Sequence, residues 1–338
     1  MSKKSAVFLV ALVLFPAEVL LGQVNYGGYL SFEAVKGQSG SEFPEYTLEN
    51  IQAGVVAGGQ AATKFGFALE IRARSVSVFD LEQAWVGFLP SQAISIKAGL
   101  FLVPFGLFNR ANRPHESPFI RVPLNLAEAY PSSWRELGLC VEGRIGVVTY
   151  AAYIGNGLEE GEMVKDGQLF RDNNTDKGKG GRLGLIFSNA LMAGVSYYDG
   201  KYDAAGERRL TLSGVDLIWM TPEWEVKGEY TKAVIENPDP FEDGRAEGFT
   251  VWTSMFLGNF RPIGSFQKLD YDDPFHGPGF VPGAGPGAGV FRKLTRWTAG
   301  LRFVPGPGVT ITIEYDWNTD KELPLKDDVF QIQAAFSF

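Results

Sequence analysis

From Val24 to Phe338, apolar and polar residues alternate one for one through segment after segment. That is the period of a strand whose two faces meet different surroundings. In the last ten residues Phe330, Ile332, Ala334, Phe336 and Phe338 are apolar, while Gln331, Gln333, Ala335 and Ser337 are polar or small. Successive strand side chains point to opposite faces, so this segment has one greasy face and one wet face. Near the other end, Phe65, Phe67, Leu69, Ile71 and Ala73 oppose Gly66, Ala68, Glu70, Arg72 and Arg74. Trp297, Ala299, Leu301 and Phe303 oppose Arg296, Thr298 and Arg302, and Ile311, Ile313 and Tyr315 oppose Thr312, Glu314 and Asp316. The pattern predicts sixteen strands, over 24–35, 46–58, 63–74, 77–89, 92–103, 134–144, 145–155, 181–188, 191–200, 208–220, 223–235, 247–257, 260–271, 295–304, 308–318 and 328–338. Counts of fourteen or eighteen stay open from the pattern alone.

The connections then alternate in length. Tight ones fall at Pro90-Ser91, Asn189-Ala190, Thr221-Pro222 and Gly258-Asn259, and long polar ones at 36–45, 104–133, 156–180, 236–246 and 272–294. Short turns at one end and long loops at the other are the mark of an outer-membrane barrel. Ser75-Val76 is the exception, as tight as any turn but at the loop end. Trp219 and Trp224 straddle the Thr221-Pro222 turn, while Phe88 and Phe260 flank two others, as in an interfacial girdle. A chain that ends on so bare an apolar strand leaves an edge that soluble sheets cover, and pairing the last strand with the first removes it. The expected fold is all-β, a transmembrane antiparallel β-barrel, with the strand ending in Phe338 read by the barrel-assembly machinery.

Composition agrees with this reading and narrows the classes. Lys3 and Lys4 precede about ten apolar residues, the length of a secretory leader and too short for a spanning helix. Cleavage after Gly22 is expected, leaving a barrel domain over 23–338. With a formal net charge of −8, the chain argues against a nucleic-acid partner. Its single cysteine, Cys140, excludes an internal disulfide framework, and 41 glycines with 13% aromatic residues suit an all-β chain.

Two passages carry a family resemblance. Leu81-Glu-Gln-Ala-Trp-Val-Gly-Phe-Leu-Pro90, a short turn, and Ile96-Lys-Ala-Gly-Leu-Phe-Leu-Val-Pro-Phe-Gly-Leu-Phe-Asn109 resemble the phosphate-selective porin O and P family. Arg171-Asp-Asn-Asn-Thr-Asp-Lys177, Gly180-Gly-Arg-Leu-Gly184 and the terminal Phe338 are similar to its later passages; together the matched pieces cover about a quarter of the chain. The resemblance implies a sixteen-stranded porin, often a homotrimer, whose third outer loop folds into the lumen. It leaves the solute open, because phosphate preference goes with dense lysine and arginine and this chain is acidic.

The third outer connection, Pro104–Ser133, holds Arg110, Arg113, His115, Glu116, Arg121 and Glu128. Strand parity sends Glu70, Arg72, Arg74, Asp80, Glu82, Lys97, Glu142 and Arg144 to the lumen beside it. A charge on the lipid face near the midplane costs about 2–4 kcal/mol, so the lumen is where these belong. The expected pore lining and constriction are Arg72, Arg74, Glu82, Lys97, Arg110, Arg113, Glu116, Arg121, Glu142 and Arg144. Among them Arg72, Arg74, Lys97, Arg110 and Arg113 are expected to favour anions, unless they merely solvate a wide wall. Two histidines, His115 and His276, with no recognisable nucleophile motif, point to no enzyme, and no cofactor or metal site is called for. Asp172–Gly178 has oxygens at alternate positions, but its glycine falls one place late for a calcium loop and no closing Glu follows. A solvated loop is the simpler reading. The functional expectation is passive passage of small hydrophilic solutes or ions through a barrel surrounded by outer-membrane lipid. A non-conducting structural or adhesion barrel, or a soluble exported β-protein binding carbohydrate, are the alternatives.

Overall fold

A computed structural model of the chain describes residues 24–74, 78–161, 164–272, 292–321 and 326–338. Among them sixteen strands follow in order: β1 Val24–Gly37, β2 Thr47–Ala62, β3 Phe65–Arg74, β4 Val78–Ser91, β5 Ile94–Leu102, β6 Arg135–Ile145, β7 Val148–Gly155 and β8 Gly178–Ser188, then β9 Leu191–Lys201, β10 Arg209–Met220, β11 Trp224–Ile235, β12 Gly244–Met255, β13 Phe260–Asp272, β14 Arg292–Gly306, β15 Val309–Asp320 and β16 Val329–Ser337. Each pairs antiparallel with its sequence neighbours, and β1 pairs with β16. The expected leader, Ser75-Val76, His276 and the Pro- and Gly-rich stretch 278–289 lie outside the described residues.

Closure is made by the strand with which the chain ends. Leu30 sits opposite Phe336 and Phe32 opposite Ala334, while Gly28 and Phe338 exchange backbone hydrogen bonds of 2.9 and 3.0 Å. A closed ladder leaves no unpaired edge, which hydrocarbon demands because it offers backbone N–H and C=O groups no partner.

The two faces of the sheet are inverted relative to a soluble protein. Phe32, Val55, Ile71, Val86, Leu139, Val215 and Ile313 are exposed on the outside, while Glu33, Glu70, Arg72, Thr250, Thr312 and Gln331 are buried within. Leaving a large apolar side chain in water costs about 1.5–3 kcal/mol. Repeated around a whole barrel, that cost vanishes only when the outer solvent is apolar. Phe65 against Phe88 and Phe260 against Phe303, with centroids 5.3 and 4.9 Å apart, cap the turn end beside Trp219 and Trp224. Phe266 against Trp297 and Tyr315 against Trp317, at 4.4 and 4.7 Å, lie toward the loop end.

Three details depart from simple alternation. The β3–β4 register steps from Glu70↔Gln83 to Ile71↔Leu81, so the bulge at Glu82 turns both Glu82 and Gln83 inward and shifts the apolar face from Leu81 to Ala84. β8 begins at Gly178 rather than 181, because Gly178, Gly180 and Gly181 carry no side chain to show a pattern. A Cβ at Gly180 would meet the Tyr153 hydroxyl at 2.4 Å, so the ring folds over bare backbone. Finally, the lumen is not wet throughout. Leu210, Leu212, Ala233, Ile235, Ala246 and Leu269 point inward from β10–β13 and are fully buried, forming a dry sector near the loop end.

Candidate constriction site

The 103–134 connection covers that dry sector. It leaves β5 and turns into the barrel at Pro104-Phe105-Gly106. Gly106 has φ +59°, and a Cβ there would sit 2.0 Å from Oε1 of Glu229 on β11, so only glycine lets the chain approach this closely. The N–H groups of Leu107 and Phe108 donate to Glu229 Oε2 at 2.8 and 3.3 Å, and the Tyr130 hydroxyl donates to Oε1 at 3.2 Å. Phe105, Tyr130 and Trp134 pack with Tyr153 of β7 and Tyr198 of β9, and Trp134 is completely buried.

Asn109 ties the two ends of the connection together. Its Nδ2 donates to the carbonyls of Val103 and Trp134, both at 2.9 Å, and its Oδ1 accepts from the Trp134 N–H at 2.8 Å. The chain between then crosses to the opposite wall. Ile120 N–H donates to Glu314 of β15 at 3.1 Å, Arg121 Nε to Gln331 of β16 at 3.1 Å, and Leu124 N–H to Gln267 of β13 at 3.0 Å. A short helix, α1 (Leu124–Ala129), brings it back against β11–β13. Arg302 of β14 donates from below to the carbonyls of Ser117 and His115, at 2.7 and 2.5 Å. Burial lowers the His115 imidazole from the ordinary histidine value, with Glu116 opposing and Arg113 and Arg302 reinforcing.

The residues expected to line the pore divide into pairs. Arg113 grips Glu70 at 3.0 and 2.7 Å and reaches Glu116 at 3.0 Å. Arg72 is buried, donates to the Tyr29 hydroxyl at 2.7 Å and to Asn112 at 3.0 Å, and lies 3.6 Å from Glu82. Tyr29 in turn donates to Glu70 at 3.0 Å. Arg74 pairs with Asp80 at 2.6 Å, and Glu82 accepts from Ser133 at 2.5 Å. Lys97 and Arg110 share Glu142, the second at 2.6 Å. Arg144 lies apart, exposed at the turn end, donating to the Gly146 carbonyl at 3.0 Å. The Glu128 side chain is outside the described residues. Cys140 is buried among Gln83, Lys97 and Arg110.

Water-sized space lies on both sides of this cluster. A cavity of about 90 Å3 is bordered by Gln52, Arg72, Arg74, Asn112 and Gln333, and one of about 400 Å3 by Asn25, Val56, Gly58, Arg113 and His115. Arg72 borders the first and Arg113 the second, so the Tyr29–Glu70–Arg72–Arg113 group is the partition between them. A third space of about 510 Å3, toward the turns, is lined by Gln92, Ser95, Arg110, Glu142, Arg144 and Arg182.

Solved structures with this architecture are numerous. OmpF of Salmonella typhi in complex with daunomycin superposes with a TM-score of 0.68 at 12% identity, covering 94% of this chain and 98% of that one. The anion-selective porin of Comamonas acidovorans gives 0.68 at 12%, over 94% and 100%. OmpT of Vibrio cholerae in its trimer form gives 0.65 at 10%, over 94% and 100%. The fold is that of an outer-membrane porin barrel. In sequence, an uncharacterised protein of Aquifex aeolicus (strain VF5) is 26% identical over 159 residues, 44% of this chain and 36% of its own length. The match thus spans about a third of that relative. No family model matches the chain.

Several anchors of the site escape sequence reasoning. Glu229, Gln267, Arg302 and Glu314 lie 99 or more residues from their partners in the connection. Inward parity was the one signal they carried.

Asp172 and Asp176, in the stretch weighed as a calcium loop, are engaged by Lys177 and by the Lys201 N–H.

Proposed function

We propose that this chain is an outer-membrane porin, giving passive diffusion of small hydrophilic solutes or ions. One observation carries the reading: the longest described connection is not displayed outside the barrel but folded within it, held to both walls, with cavities on either side. An adhesion barrel would put its longest loop where a partner can reach it. The five cations expected to favour anions each face a carboxylate, so we take the constriction as charge-balanced, selecting by size and dipole. Affinity for any solute is weak, since conduction requires that it leave as readily as it enters. The outward apolar band is read as the lipid contact, the terminal strand as the signal for assembly into the outer membrane, and a homotrimer as the assembled form.

Liposome swelling tests the solute range. Vesicles containing the protein are expected to swell in isotonic arabinose or glycine and to swell far more slowly in raffinose. Equal rates with protein-free vesicles would remove the diffusion reading.

A further inference from the structure

Pairing of charges is not uniform along the barrel axis. At the turn end of the lumen, three arginines have no carboxylate in ion-pair reach among the described residues. Arg144 meets only the Gly146 carbonyl, Arg302 meets two loop carbonyls, and Arg261 lies 5.2 Å from the Phe256 ring. Arg261 and Arg302 are directly opposite one another in the β13–β14 register, and the Nε of each is buried without a hydrogen-bond partner. Like charges placed opposite each other on a sheet repel, so this pair makes a local positive field.

At the loop end the sign reverses. In the described parts of the outer connections other than the third, fifteen acidic residues stand against six basic ones. The 236–243 connection alone has Glu236, Asp239, Glu242 and Asp243 and no base. Even with all six bases paired, the mouth stays strongly negative. Between the two ends lies the charge-balanced partition at Glu70, Glu82, Arg72 and Arg113.

We propose that the lumen is a bipolar junction, acidic at the loop mouth and basic at the turn mouth, which passes small inorganic ions more readily under one voltage polarity than the other. This rests on the porin reading. Cations accumulate at the acidic mouth and anions at the basic one. With the loop side positive, the field drives both populations toward the constriction and fills it with carriers. With the loop side negative, it draws both away and depletes it. The screening length is about 10 Å at 0.1 M salt and about 3 Å at 1 M, so the asymmetry belongs to dilute salt.

The test is the single-channel current–voltage curve in bilayers of zwitterionic lipid. Orientation is fixed by biotin on Ser39→Cys, captured by streptavidin from one chamber. At equal and opposite voltages in about 0.1 M KCl, current is expected to be about twofold larger with the loop side positive, falling toward equality in about 1 M KCl. The double variant Arg144→Gln, Arg261→Gln is expected to reduce the ratio, while Arg245→Gln, on the outer face, leaves it unchanged. A linear curve from well-resolved channels in dilute salt overturns the junction and leaves the porin reading standing, and so does asymmetry of the opposite polarity. Asymmetry that survives the double variant also overturns it. Absence of any channel removes both.

Discussion

Replacing Gly106 with valine is expected to free the third connection from the β11 wall and raise open-channel conductance severalfold. The new Cβ falls 2.0 Å from Glu229 Oε1, so either the loop or the carboxylate has to move. The backbone at φ +59° adds about 1–2 kcal/mol of strain for a residue with a side chain. Displacement then strands a buried carboxylate that had accepted from Leu107, Phe108 and Tyr130, at about 1–3 kcal/mol for each buried group left unsatisfied. The barrel ladder does not pass through Gly106, so folding into detergent is expected to persist. Single-channel recordings check the prediction: conductance and noise equal to wild type would mean that the Glu229 contact does not hold the constriction.

The second large effect is expected from Trp134→Ala. Trp134 has no exposed surface, and its ring centroid lies 5.0 to 6.4 Å from those of Phe105, Tyr130, Tyr153 and Tyr198. Truncating a buried ring of this size costs about 3–5 kcal/mol, from lost transfer energy and the cavity left behind. That loss falls where the loop docks on the dry sector, beside the Asn109 clasp that closes its base. Arg110 and Arg121 are then expected to become trypsin sites, Arg113 being shielded by Pro114, while the wild-type loop resists cleavage at the same protease concentration. Equal resistance in the two proteins would show that the aromatic cluster is not what seats the loop.

Much of the barrel was legible in the chain because strand alternation is a local property. Leu30, Phe32, Phe330 and Phe336 announce their face one residue at a time, and the predicted strands match those observed to within a few residues. Local pattern fails where it is silent or double. The glycines at 178–181 hid the start of β8, and the bulge at Glu82 showed only as an apolar face changing phase between Leu81 and Ala84. In β10 the apolar residues switch from Leu210 and Leu212, which face inward, to Val215 and Leu217, which face outward, without a bulge. That switch was visible, but its meaning, an apolar patch inside the lumen, depends on the loop that covers it.

The site was legible in part for the same reason. Parity placed the charged residues inside, and the Pro104-Phe105-Gly106 motif marked where the loop turns in. What sequence does not carry is circumferential distance. Nothing local says that Glu229 lies under Gly106, that Arg302 reaches Ser117, or that Arg72, Arg74, Lys97, Arg110 and Arg113 each find a carboxylate. Those facts come from the closed register, which also turns a set of basic residues into a balanced partition flanked by unlike mouths.

The central claim, that solutes pass through this barrel past the 103–134 connection, is tested most directly by purified protein in a planar bilayer with symmetric salt. Discrete, long-lived conductance steps are expected, with a larger unitary step in the Gly106→Val variant. A protein that inserts, as shown by its heat-dependent mobility in detergent and protease-protected strands, yet gives no steps in either form would contradict it.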